Sequence, residues 1–147
     1  MTEIQLKNYP IYDKRIKYYW LTVQESNDLL KIVDLLFLPF SFENCSHLEV
    51  KTVYATKTLN YLTSRTPILV FSPKDSFHSV SGNKFGWGYV VDVNCPKYLA
   101  DNMVNICNNE NTQISLVTNA YKEAKNRDST EMCNKLENDL AFLEDRN

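Results

Sequence analysis

Apolar residues cluster in short runs through the first two thirds of the chain and form helical stripes through the last third. The runs at residues 15–21, 34–40, 67–71 and 89–93 are rich in β-branched, aromatic and leucine side chains, which favours strands. The second and third runs have no polar side, as expected of strands that are buried on both faces of a parallel sheet. The pattern therefore predicts four strands in a mainly parallel sheet.

Helices are predicted between these strands. Thr22 and Glu25 have the spacing of a capping box, which opens a helix after the first strand. Residues 56–63 predict a short second helix, with Leu59 and Leu62 on one face. Strands that alternate with helices in this way are typical of α/β folds.

The remaining segments are predicted as two loops and a helical end. Residues 41–54 and 72–88 are polar and irregular, and the second loop has room for one helical turn after Asp75. From Pro96 onward the pattern is helical, and it closes with a predicted helix at residues 128–147. The fold class predicted from this order is a Rossmann-like three-layer sandwich with a mainly parallel sheet.

Composition narrows the class of protein. A chain of 147 residues with 44% apolar and 23% charged residues fits one globular domain, at 1–147. The formal net charge of −2 argues against a nucleic-acid partner, which usually meets a basic surface. No run approaches the ~18 apolar residues of a transmembrane helix, and no signal peptide is evident. We therefore expect a cytoplasmic protein whose four dispersed cysteines are reduced thiols, with no metal and no cofactor.

Candidate chemistry lies where two predicted parallel strands end. Ligands of open parallel sheets bind beyond the carboxyl ends of the strands, and the loops after Phe40 and Phe71 lie there. Between these loops in sequence, Thr56 and Lys57 open the short helix, where a hydroxyl and a cation can meet a phosphate. The opposite wall is predicted to come from polar residues of the following loop: Ser72, Lys74, Asp75 and Ser76.

Structural explanations of the same residues stay open. Thr56 can be an ordinary helix cap and Lys57 a solvated charge, and the chain has neither a Walker motif nor a G-x-G-x-x-G motif. His78 has two interpretations, a phosphate contact or a surface and capping role.

Dispersed blocks of the sequence, "LPFSF…VYATKTLNYLTSRTPILVFSPKDSF…GWGYVVDV", resemble the donor-binding, C-terminal half of GT-B-fold, family-4-like retaining glycosyltransferases. In that family a buried strand ending in P-F precedes a P-T-K-hydrophobic-acid-Y-L-A-S-G-x-P-I-L block, a P-x-D-S loop and a G-x-G-hydrophobic-V-D strand. The match extends over about residues 16–126, and we assign the donor-binding-like region to residues 15–126.

The resemblance implies a nucleotide-diphosphate sugar as ligand. Thr56 and Lys57 would lie at the diphosphate, position 60 would face the ribose, and Ser76 would lie near the donor. Asn60 stands where the family has an acid, and Arg65 stands where it has glycine. The resemblance also implies a truncated domain that lacks two strand–helix units and the acceptor half, so that the chain alone is incomplete as a catalyst.

Partners and alternatives follow from that expectation. A second polypeptide supplying the other GT-B half, or a homo-oligomer, would complete the fold. The alternative function is a non-catalytic Rossmann-like interaction and assembly module. A third alternative is an unrelated α/β domain with a flavodoxin-like sheet.

Overall fold

The computed structural model describes residues 13, 15–42, 51–52, 55–128, 130 and 133. Three parallel strands, β1 (Leu36–Pro39), β2 (Ile68–Phe71) and β3 (Tyr89–Val91), form a sheet in the order β1-β2-β3. Five helices have defined bounds: α1 (Val23–Leu30), α2 (Lys57–Thr63), α3 (Phe77–Phe85), α4 (Pro96–Cys107) and α5 (Glu110–Asn126). The predicted fold class, an α/β sandwich with a parallel sheet, is confirmed.

Helices cover both faces of the sheet, which gives the three layers. Alternate residues of a strand point to opposite faces, and the two cores separate accordingly. The first core joins side chains of β1 and β2 to α2, α5 and the turn before β3: Leu36, Leu38, Leu62, Ile68, Val70, Trp87 and Ala120. The second core joins β2 and β3 to α4 and α5: Leu69, Val91, Ile106 and Leu116.

Residues 15–21 are not a strand, so that prediction is wrong. Strands need a neighbour to bond their backbone, and β1 pairs only with β2 in the described part of the chain. The segment instead leads directly into α1, whose capping box at Thr22 and Glu25 is present as predicted. A β-branched, aromatic run predicts a strand only if the fold supplies an edge for it.

Residues 77–85 form a full helix, α3, where the sequence predicted a loop with at most one turn. Ser76 caps its start by accepting a hydrogen bond from the Ser79 N–H at 3.0 Å. The residues that α3 buries are polar or small: His78, Ser79, Ser81 and Gly82. The helix therefore lacks the apolar stripe by which helices are recognised in a sequence.

Glycine is required at two places where α3 gives way to β3. Gly86 ends the helix in the left-handed conformation, with φ of 66°. A Cβ atom on Gly88 would lie 2.8 Å from Cγ2 of Val70, so the close approach to β2 admits no side chain. Arg65 also has a φ of 66°, a strained value for a residue other than glycine.

Two predictions fall largely outside the described residues. They are the long loop at residues 41–54 and the final helix at residues 128–147.

Candidate functional site

The carboxyl ends of the strands are held side by side, as predicted for the segments after Phe40 and Phe71. The Phe40 N–H donates to the Phe71 carbonyl at 2.8 Å, just beyond β1. The Ser72 N–H donates to the Val91 carbonyl at 3.2 Å, just beyond β2. Both bonds extend the parallel ladder by one residue, so three chain segments leave the sheet along one edge.

The start of α2 and the start of α3 meet at this edge through one histidine. The Ala55 N–H donates to Nε2 of His78 at 3.3 Å, and Oγ1 of Thr58 lies 3.2 Å from the same nitrogen. Because Nε2 accepts the Ala55 proton, the neutral ring carries its own proton on Nδ1. These contacts fix the first turn of α2 against the turn between β2 and α3.

The His78 ring is an interior side chain, which corrects both interpretations made from the sequence. It is only 1% exposed, stacks on Phe40 at 4.3 Å between centroids, and meets Trp87 edge-on at 6.4 Å. Burial, and to a lesser extent the positive charge of Arg127, lowers the pKa of His78 to about 4. The imidazole is therefore neutral at pH 7 and too enclosed to touch a phosphate.

Three of the predicted site residues are exposed together on the first turns of α2. Thr56 and Lys57 precede Asn60 by four and three residues, so all three share one side of the helix. Thr56 does not cap the helix, because its backbone is already helical and its side chain makes no capping bond. The alternative explanation of Thr56 as an ordinary side-chain cap is therefore wrong, and its hydroxyl belongs to an exposed residue.

Two other predicted site residues, Ser72 and Ser76, are interior. The Ser72 hydroxyl lies 2.5 Å from Oγ of Ser76, and the Ser79 hydroxyl donates to the Ser72 carbonyl at 3.1 Å. These hydroxyls hold the turn between β2 and α3 in shape. The structure therefore separates the predicted site into an exposed part and a buried framework.

Charges surround the exposed part. Lys51 and Asp75 form an ion pair with a distance of 3.8 Å, which connects the segment before α2 to the turn before α3. Lys57 is exposed at the first position of α2, and Lys74 is exposed on the turn before α3. An ion pair as open as Lys51–Asp75 adds little stability but leaves both groups accessible to a ligand.

A cavity that the sequence did not predict begins at this pair. It has a volume of about 540 Å³, it follows α3, and its wall includes Phe77, Lys84 and Arg127 beside Lys51 and Asp75. Arg127 is held by Glu123 at 2.7 Å and lies 5.7 Å from the centre of the Phe77 ring. In the sequence, the i,i+4 spacing of Glu123 and Arg127 was the available sign that this arginine is held by an ion pair.

The described residues contain no group of three histidine, cysteine or acidic side chains placed to hold a metal ion. They also contain no helix that is long and apolar enough to cross a membrane.

Comparison of the chain with models of protein families, with curated proteins and with solved structures returns no match.

Proposed function

We propose that this chain binds a nucleotide-diphosphate sugar at the carboxyl edge of its sheet, as the donor-binding part of a glycosyltransferase. One observation carries the proposal: His78 locks the exposed first turn of α2 against the β2–α3 turn at adjacent strand ends. Open parallel sheets bind their ligands at this edge. The resemblance to GT-B donor domains assigns the diphosphate to the same turn.

Each exposed residue has a chemical role in this proposal. Lys57 supplies a positive charge to the diphosphate, and the Thr56 hydroxyl supplies a hydrogen bond. The side-chain carbonyl oxygen of Asn60 accepts a hydrogen bond from a ribose hydroxyl. Charge that develops on the departing diphosphate during glycosyl transfer would be stabilised by the same cation.

The buried serines act indirectly. Ser72 and Ser76 keep the β2–α3 turn in place, so that Lys74 and Asp75 face the ligand from the side opposite α2. Asp75, paired with Lys51, would also limit how far a second anion enters the cavity along α3. The site thus rests on a rigid interior with a charged rim.

Calorimetry tests the proposal with UDP, GDP and uridine as ligands. A charge-assisted hydrogen bond is worth about 1.5–3 kcal/mol, so Lys57→Ala should weaken either diphosphate by roughly tenfold to a hundredfold. Uridine, which lacks the phosphates, should be unaffected. High salt should reduce the difference because the site is open to solvent.

Lys122→Ala is the matched control, since it removes an exposed lysine from α5. It should leave the affinity for each ligand unchanged. Equal affinities for wild type and Lys57→Ala would show that Lys57 is only a solvated charge. No heat with any ligand at millimolar concentration would reject the proposal.

A second candidate function, an interaction and assembly module, is favoured by a separate observation. Residues 16–23 include six large apolar side chains, among them a tyrosine-tyrosine-tryptophan run, and all six are exposed. Large exposed apolar surfaces usually mark interfaces. This function needs no ligand at the carboxyl edge.

A further inference from the structure

Large apolar side chains are exposed through the N-terminal part of the described chain. We define the N-terminal apolar surface as Ile16, Tyr18, Tyr19, Trp20, Leu21, Val23, Ile32 and Phe37. Each is at least 36% exposed, and Trp20 is 83% exposed. Isolated exposed apolar residues are normal on proteins, but this set lies within one short stretch of the sequence.

The run from Tyr18 to Leu21 is covered on neither side. If one side of this segment packed against the described residues, some of its side chains would be buried at a regular spacing. All four consecutive residues are exposed instead. A partner that covers this segment must therefore approach it from outside the fold described above.

Among the described residues, the sheet offers a complementary feature, an unpaired edge. The N–H groups of Leu36 and Phe40 donate toward β2, so alternation turns the Phe37 N–H and carbonyl away from it. Phe37 pairs on no other side within the described residues. Pro39 has no N–H to offer, which is the usual state of an edge strand and limits pairing to the stretch before it.

The described residues thus contain an irregular segment with exposed apolar side chains and, in β1, an edge without a neighbouring strand. We propose that two copies of this chain associate through the N-terminal apolar surface, with residues 16–21 of each copy lying along the β1 edge of the other. Because each copy contributes the same segment and the same edge, the two contacts are identical and the dimer has twofold symmetry. This dimer rests on the second candidate function and specifies its partner as another copy of the chain. It does not depend on nucleotide binding.

The exposed area is sufficient for a stable dimer. Fully covered aromatic side chains bury 150–250 Å² each, so the eight residues together expose on the order of 1,000 Å². A standard interface buries about 800 Å² on each partner. Arg15 is already paired with Asp13 at 2.6 Å, so the contact does not bring two bare guanidinium groups together.

Sedimentation equilibrium of the full chain tests the association. Wild type should be a dimer that dissociates on dilution, and Trp20→Glu should weaken the dimer by a factor of about 30 or more, as for a central aromatic anchor. Val80→Glu is the matched control, because Val80 is 54% exposed on α3 and receives the same charge. It should leave the dimer intact.

Hydrogen exchange tests the position of the segment. The Phe37 amide should exchange slowly in the dimer and quickly in Trp20→Glu, whose circular dichroism should match wild type because Trp20 is outside both cores. A wild-type monomer at millimolar concentration would overturn the proposal. A dimer weakened equally by both variants, or one whose Phe37 amide exchanges at a concentration-independent rate, would overturn it as well. The calorimetric result with nucleotides is independent of each of these outcomes.

Discussion

The two tryptophans of the chain represent two regions that use apolar residues in opposite ways. Trp87 is 1% exposed, packs between β1, β2 and α5, and donates its indole N–H to the Ser81 hydroxyl at 3.0 Å. Trp20 lies before α1, a helix that buries none of its residues. The sequence is comparably apolar in both places, so apolar composition alone does not determine which residues form the core.

Position in the sheet accounts for the difference. β2 lies between β1 and β3, and its residues Ile68, Leu69 and Val70 are completely buried. β1 is an edge in the described sheet, and Phe37 and Pro39 alternate with buried leucines there. Burial therefore decreases from the centre of the sheet toward β1 and the segment that precedes it.

The largest expected difference in stability is between variants that truncate the two tryptophans. Trp87→Ala should lower the free energy of unfolding by about 3–5 kcal/mol, because it leaves a cavity in the first core. Trp20→Ala should change it by less than about 0.5 kcal/mol when measured at a concentration at which the chain is monomeric. Urea denaturation followed by circular dichroism gives both values. Comparable losses in the two variants would mean that residues 16–21 belong to the core after all.

A second prediction uses the pH dependence of stability in the well-buried region. The pKa of His78 is lowered to about 4 in the folded protein, whereas the unfolded chain binds the proton near the ordinary value of 6.5. The unfolded state therefore holds more protons between these values, and stability falls as the pH falls through this window. The total loss is about 3 kcal/mol by pH 4.

The control for that prediction is His78→Gln, which can still accept the Ala55 N–H but does not titrate. Its free energy of unfolding is expected to be lower at pH 7 and flatter between pH 6.5 and 4 than that of wild type. A wild-type curve with the same slope as the variant would show that His78 ionises freely in the folded state.

The smallest expected effect concerns Arg65, at the turn between α2 and β2. Its left-handed backbone costs a residue with a Cβ atom about 1–2 kcal/mol, so Arg65→Gly should stabilise the protein by about 0.5–1 kcal/mol after the greater freedom of glycine in the unfolded chain is counted. Arg65→Ala keeps the Cβ atom and should show no such gain. Thermal denaturation of the three proteins distinguishes strain from a side-chain effect.

The sequence pattern was sufficient for elements whose buried residues are apolar. β2 was predicted from the run at residues 67–71, and α4 from Pro96 at its first position. α3 was missed because its buried residues are a histidine, two serines and a glycine. These residues pack against the core because they are small or form hydrogen bonds, and not because they are apolar. Residues 15–21 were misassigned because a local pattern contains no information about which strand would be the neighbour.

The candidate site divides in the same way. Sequence placement by the ends of parallel strands correctly brought the segments after Phe40 and Phe71 together. It could not tell that the Ser72 and Ser76 hydroxyls bond each other, because such a bond depends on the shape of the turn. The contacts of His78 could not be predicted either, because its partners Ala55 and Thr58 are more than 19 residues away in the sequence.

The glycines at the end of α3 have a consequence for how this fold can change over evolutionary time. Gly86 supplies a left-handed helix end, and Gly88 lets its backbone lie against Val70, where a Cβ atom would be 2.8 Å from Cγ2. Neither requirement depends on what the surface binds. Descendants that lose the ligand or acquire another partner are therefore expected to retain the Gly-x-Gly spacing, and a tolerated change at position 88 should be accompanied by a smaller residue at position 70.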